Sequence, residues 1–228
     1  MENFTTGWIK LQKQMARRKM TDIICDEDHR YWIENGTVEV PGVTNINQVM
    51  GISDFSQVPE QLLERSIKYG RAVHDLTQYY DRQTLNLKVL DQQLLPVLGQ
   101  WQKFLKDYEI KLLPGWIEKV SYCQKWRYGF TPDRLAKMNN KIILIDIKTG
   151  APSRATQIQT AAYRLGIEEE TGDKINERWV IYLGADKYKI DPLDINKKTG
   201  VYDRQIYIQH KSIFLSCLNI YNYKKNGG

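Results

Sequence analysis

One segment of this chain tolerates very few environments. Lys141–Lys148 reads KIILIDIK, and its four consecutive residues 142–145 are all apolar. A strand built from it has two water-avoiding faces, so it must lie inside a sheet that is covered on both sides. Asn139-Asn140 suits a tight turn into the strand, and Gly150 and Pro152 end it. The strand also carries a carboxylate where apolar residues surround it, and an ionised Asp146 is costly there without a partner. Alternation along the strand puts Asp146 and Lys148 on one face and Ile147 on the other.

A turn centred on 139–140 makes Asp133, of the preceding strand, the neighbour that faces Asp146. Opposed residues approach to about 5 Å, and like charges there repel. Two facing carboxylates beside a lysine call for a divalent cation or a shared proton, and hard oxygen ligands with open positions suit Mg²⁺ or Mn²⁺. The plainer alternative is a surface salt bridge between Lys148 and one of the acids.

Around this centre the chain divides by period. Residues 1–20 read as a short helix or arm ending in Arg17-Arg18-Lys19. Residues 29–40 form a hairpin about Asn35-Gly36, the pair favoured for a two-residue type I′ turn, and Thr44 or Asn45 then caps a short helix. Residues 57–83 carry Leu62, Leu63, Ile67, Val73, Leu76 and Tyr80 at helical spacing, with Gly70 and His74 sharing a face. Residues 91–108 give a second amphipathic helix, its stripe formed by Leu94, Leu95, Leu98, Trp101, Phe104, Leu105 and Tyr108. Strands over 116–124, 131–138 and 141–148 make an antiparallel meander. A helix over about 153–170 follows, capped by Ser153 and stopped by Gly172. Residues 178–184 give a buried strand, 188–190 and 205–208 edge strands, and 209–223 the last helix. This order predicts an α/β (α+β) fold with a mixed central sheet flanked by helices. It makes one domain of residues 1–228, with an N-terminal hairpin and helical preamble over 1–108 and a core over 109–228.

Charge and composition narrow the function only slightly. The chain has 33 basic and 27 acidic residues in 228, a net charge of +6, which is compatible with a polyanionic partner without requiring one. Cys25, Cys123 and Cys217 are too scattered for a zinc ribbon or an iron–sulfur cluster, and they point to a reducing, cytoplasmic setting. No run approaches the roughly 20 apolar residues that span a bilayer.

Pro132-Asp133, twelve residues, then Asp146-Ile147-Lys148 resembles the PD-(D/E)xK nuclease superfamily. The chain is more narrowly similar to its RecB-like exonuclease branch, of phage or mobile-element type. A G-x-x-x-H motif on an upstream helix is matched by Gly70 and His74, and a Q-x-x-x-Y motif on the following helix by Gln159 and Tyr163. The stretch GFTPD, Gly129 to Asp133, departs by one residue from the branch's G-x-x-D spacing. The resemblance implies a restriction-endonuclease-like core and a Mg²⁺- or Mn²⁺-dependent deoxyribonuclease, with one or two ions and no iron–sulfur cluster. An exonuclease acting on DNA ends or single strands is its leading form. A structure- or sequence-specific endonuclease of the same fold, or a non-catalytic DNA-binding protein on a nuclease scaffold, are the rivals.

By the same resemblance His74, Asp133, Asp146 and the Ile147 carbonyl are metal ligands, with Glu118 a further acid. Lys148 orients or deprotonates the attacking water and stabilises charge on the phosphate. Gln159 and Tyr163 position the strand. Arg71, Arg127, Arg154 and Arg164, with Lys119 and Lys125, are candidate DNA phosphate contacts. Trp126 and Tyr128 are candidate stacking platforms for a base. A phage-encoded protein would work in the host cytoplasm.

Overall fold

The computed structural model describes residues 22–52, 56 and 58–225. The expected arm over 1–20 lies outside the described residues. Lys141–Lys148 is strand β8, at the centre of a five-stranded mixed sheet. The sheet order is β10 (Tyr188–Pro192), β9 (Glu177–Leu183), β8, β7 (Arg134–Met138) and β4 (Lys111–Ile117). β8 runs parallel to β9; the other neighbours are antiparallel. Met138 pairs with Lys141 and Arg134 with Ile145 across the Asn139-Asn140 turn, the register expected from the sequence. Asn139 has φ 53°, a left-handed conformation that asparagine tolerates better than most residues.

Both faces of β8 are covered, as its apolar run requires. Ile143, Ile145 and Ile147 pack with Val73 of helix α2 (Glu60–Asp81) and with Val97, Trp101 and Phe104 of α3 (Leu95–Asp107). Leu144 packs on the opposite face with Ile158, Ala162 and Ile167 of α4 (Arg154–Thr171) and Phe214 and Leu218 of α5 (Arg204–Lys225). The fold is thus a mixed α+β sandwich, with helices on both sides of the sheet. Among the described residues no helix is long and apolar enough to cross a membrane.

Within the preamble, the N-terminal hairpin meets this core through an aromatic ring. Strands β1 (Ile24–Cys25), β2 (Tyr31–Ile33) and β3 (Val38–Val40) form a small antiparallel sheet. The β2–β3 register is centred on Asn35-Gly36, both with positive φ, but Glu34 is left-handed too and Thr37 N–H closes on the Ile33 carbonyl, so the loop spans four residues. Helix α1 (Val43–Val49) begins directly after Gly42, without the side-chain cap expected from Thr44 or Asn45. The Tyr31 ring lies against Gly42 and Gly129, and its hydroxyl meets Thr131 Oγ1 at 3.0 Å. A Cβ on Gly129 would fall 2.2 Å from Tyr31 Cγ, so this glycine is required by packing. The extra residue in GFTPD is accommodated here, because Gly129 belongs to the hairpin contact.

Several boundaries differ from those expected. The strand expected to begin at 116 begins earlier: β4 runs through Pro114-Gly115 as an edge strand with an irregular register, a place where proline's missing N–H does no harm. The 116–124 segment divides, since Ser121–Cys123 (β5) leaves the main sheet to pair with Tyr128–Phe130 (β6). Residues 131–133 accordingly lead into β7 without belonging to it. Residues 205–208 are the first turns of α5, where Tyr207 and Phe214 are buried on one helical stripe. Of the α2 pattern, Val73 and Leu76 are buried, while Leu62 and Ile67 of its first half are exposed. Leu95 is exposed because the segment begins as a 3₁₀ turn, Gln92–Leu94, which rotates Val97 inward instead. The Ser153 cap and a left-handed Gly172 at the end of α4 agree with expectation.

Candidate metal centre

Three strands have their ends at one end of the central sheet, where the middle of α2 passes, and these four elements deliver the ionisable groups. α2 brings His74 from one helical layer. Glu118 immediately follows β4, and Asp133 immediately precedes β7. Those two residues are coupled through the backbone, since Glu118 N–H donates to the Asp133 carbonyl at 2.9 Å. Glu118 has φ 47°, a strained conformation for a non-glycine residue. His74 Nδ1 lies 3.5 Å from Glu118 Oε1 and 3.7 Å from Asp133 Oδ2. One ligand atom from each of the three residues falls within 4.8 Å of the others.

Asp146 and Lys148 stand beside this group on β8. Asp146 is fully buried, and its Oδ2 lies 2.7 Å from Lys148 Nζ. Neither carboxylate oxygen of Asp146 receives a hydrogen bond of acceptable geometry. The ion pair is therefore its one polar partner, and the salt bridge expected as an alternative is present, although at a buried acid. Asp133 is oriented differently: its Oδ2 accepts the Ile147 N–H at 2.6 Å.

Burial works against charge on Asp146 and, together with the neighbouring Asp133, holds its carboxyl above the usual carboxylate range despite Lys148. Burial also opposes the Lys148 ammonium, but Asp146 and Asp133 outweigh it and its pKa is raised. For His74, burial favours the neutral ring, while Asp133 and Glu118 overcome that and push the pKa up to about 9. The centre is thus short of positive charge and takes up a proton to compensate.

The donor set fits a divalent cation. Two carboxylates and an imidazole converge, and two buried Asp146 oxygens without hydrogen bonds lie next to them. The residues expected to hold an ion divide by distance. Glu118 joins His74 and Asp133, whereas Asp146 is not part of that close group and turns to Lys148. Facing strand positions bring two backbones together, but side-chain direction decides which atoms meet. Ile147 contributes its N–H to Asp133, a contact the sequence did not suggest.

Gln159 and Tyr163 meet as their spacing on α4 requires, with Gln159 Nε2 donating to the Tyr163 hydroxyl at 2.6 Å. Tyr163 is buried and stacks on Phe130, and burial above all, with smaller contributions from Tyr31, Asp146 and Asp133, holds its phenol protonated. Gly70 faces Thr149 at the end of β8, yet a Cβ there would sit 3.6 Å from Thr149 Oγ1, an ordinary contact.

The basic residues separate into two groups. Arg71, Arg127 and Arg154 are exposed. Arg164 is buried, bonds Glu168 at 2.9 Å, lies 3.4 Å from Asp194 and stacks 3.9 Å above Tyr207. It is a structural cation of the α4–α5 layer and not a surface contact for DNA. Lys119 pairs with Glu170 and lies over Trp116. Tyr128 is fully buried, its hydroxyl bound to the Ala162 carbonyl, so no base can stack on it. Sequence reasoning passed over Arg134, Asp81 and Thr77, which lie behind the centre. The signal available was an arginine next to Asp133 on a buried strand.

No protein-family model matches this chain, and no curated protein matches it.

Proposed function

We propose that this protein is a metal-dependent deoxyribonuclease of the PD-(D/E)xK type, in the RecB-like branch, and that it hydrolyses phosphodiester bonds as an exonuclease on DNA ends or single strands. The observation that carries this reading is the convergence of His74, Glu118 and Asp133 beside the buried Asp146–Lys148 pair. These residues come from elements far apart in the chain. Such a meeting of ionisable groups is costly to stability and is characteristic of functional sites.

His74, Glu118 and Asp133 would hold the divalent ion, with Asp146 at its flank. A bound Mg²⁺ or Mn²⁺ supplies Lewis acidity, which activates water and offsets charge on the phosphate. Lys148 is part-exposed and held protonated by Asp146 and Asp133, so it can bind a phosphate oxygen as a cation. That state favours charge stabilisation over proton removal as its role. Tyr163, fixed by Gln159 and Phe130, shapes the wall next to the acids. The exposed Arg71 and Arg154, on the two helices that carry His74 and Gln159, are available to phosphates of the strand.

The test uses 5′- and 3′-labelled single-stranded, duplex and closed circular DNA with Mg²⁺, Mn²⁺ or a chelator. Degradation of linear DNA with circles left intact supports the exonuclease. Nicked circles replace it with an endonuclease. No cleavage of DNA or RNA under any metal condition overturns the reading.

A further inference from the structure

Arg134 lies on β7 next to Asp133, is fully buried, and reaches two of the three clustered residues directly and the third through Thr77. Nη1 donates to Glu118 Oε1 at 3.0 Å and to the Asp133 main-chain carbonyl at 2.6 Å. Nη2 donates to Thr77 Oγ1 at 3.2 Å, and that hydroxyl bonds the His74 carbonyl at 3.0 Å and the Val73 carbonyl at 3.1 Å. Nε is fixed from behind by Asp81 Oδ2 at 2.6 Å, and Asp81 Oδ1 accepts the Trp101 indole N–H at 2.8 Å. One guanidinium therefore touches the Glu118 side chain, the Asp133 backbone and, through Thr77, the helical turn that presents His74. Only a planar fork of donors can serve these directions at once. Glu118 most needs such support, because its left-handed backbone is strained. Its N–H is held by the same Asp133 carbonyl, and Arg82 Nη2 holds the Ile117 carbonyl at 2.7 Å.

We propose that Arg134 is a positioning residue that sets Glu118, Asp133 and the His74 turn in their ion-binding arrangement before the ion arrives. This rests on the metal-centre reading above. Without the brace, Glu118 could relax toward ordinary backbone geometry, and the buried Asp81 carboxylate and the half-buried Glu118 would lose their shared counter-charge.

The test is calorimetric titration of the metal-free full chain with Mn²⁺, with thermal unfolding followed in parallel. Arg134→Lys keeps a charge but cannot make the forked contacts. Partners of this kind behind a ligand set are worth about 10- to 100-fold in metal affinity, and that loss is expected from R134K at a temperature where it is folded. Unchanged affinity in folded R134K overturns the proposal. Arg134→Met discriminates by sign: removing a positive charge should tighten Mn²⁺ binding if Arg134 acts only through its field, and should weaken it if Arg134 positions ligands. Where the Arg134 variants do not fold, Thr77→Val decides, since it removes the acceptor of Nη2 with no change of charge and leaves the three clustered residues intact. A several-fold loss of affinity supports the brace, and none overturns it. Failure of the unaltered protein to bind Mn²⁺ overturns the metal-centre reading itself, and this proposal with it.

Discussion

Asp146 and Lys148 form an ion pair at 2.7 Å in which the acid is fully buried and the lysine is 28% exposed. The two stand on one face of β8, two residues apart, and no hydrogen bond supplements the contact at Asp146. A carboxylate in that position depends chiefly on Lys148, with a smaller contribution from His74.

Lys148→Ala should therefore abolish the proposed nuclease activity and also destabilise the metal-free protein. Breaking a buried pair from one side costs roughly 3–5 kcal/mol. Burial already holds the Asp146 pKa above its unfolded value, and the loss of Lys148 raises it further. A raised carboxyl favours folding at low pH, and that contribution is lost as pH rises through the folded pKa. The stability deficit of K148A should accordingly be small near pH 5 and largest near pH 8. Thermal unfolding of both proteins across that range measures it, and a pH-independent deficit contradicts the assignment.

His74 has the opposite consequence for metal binding. Its pKa of about 9 lies above the usual 6.5, so its contribution to stability is complete below pH 6.5 and lost as pH rises through about 9. A cation must displace that proton. Mn²⁺ affinity should rise about tenfold per pH unit between pH 7 and 8.5, with proton release visible as a dependence of calorimetric heat on buffer ionisation. His74→Gln should flatten both; a release of protons that survives in H74Q would point to another group.

The charge count at the centre favours a single tightly bound ion. Asp81, Glu118, Asp133 and Asp146 face Arg134 and Lys148, which leaves two negative charges when His74 is neutral. A titration with Mn²⁺ should give one strong site per chain in the absence of DNA. Two sites of comparable affinity would require a further ligand.

The two motif glycines should respond differently to alanine. At Gly129 the new methyl meets the Tyr31 ring at 2.2 Å, and overpacking of this kind costs about 1–3 kcal/mol. At Gly70 the nearest atom is 3.6 Å away, and alanine within a helix is favoured over glycine by about 1 kcal/mol. Chemical unfolding should show G129A destabilised, with Tyr31→Leu partly restoring it, and G70A neutral to stabilised.

Much of the architecture was legible from the chain, and for local reasons. The apolar run of β8 demanded cover on both faces and received it from Val73 and Trp101 on one side and Ile158 and Phe214 on the other. The Asn139-Asn140 turn set the β7–β8 register, and Ser153 and Gly172 bounded α4. Where the reading failed, the environment overrode local preference. Pro114-Gly115 marks a strand end by propensity but is tolerated at a sheet edge. Residues 205–208 alternate enough for a strand, but burial of Tyr207 against Arg164 draws them into α5.

The sequence by itself determined which residues share an element and a face: Asp146 with Lys148, Gln159 with Tyr163, Gly70 with His74. Those relationships follow from repeat periods of about two and 3.6 residues, which act over one or two turns. Only the tertiary structure decided that Glu118 completes the group with His74 and Asp133, that Asp146 turns to Lys148, and that Arg134 stands behind them while Arg164 is buried elsewhere. These outcomes depend on how α2, the end of β4 and the start of β7 meet at one end of the sheet. That meeting is set by packing between layers, which no local period encodes.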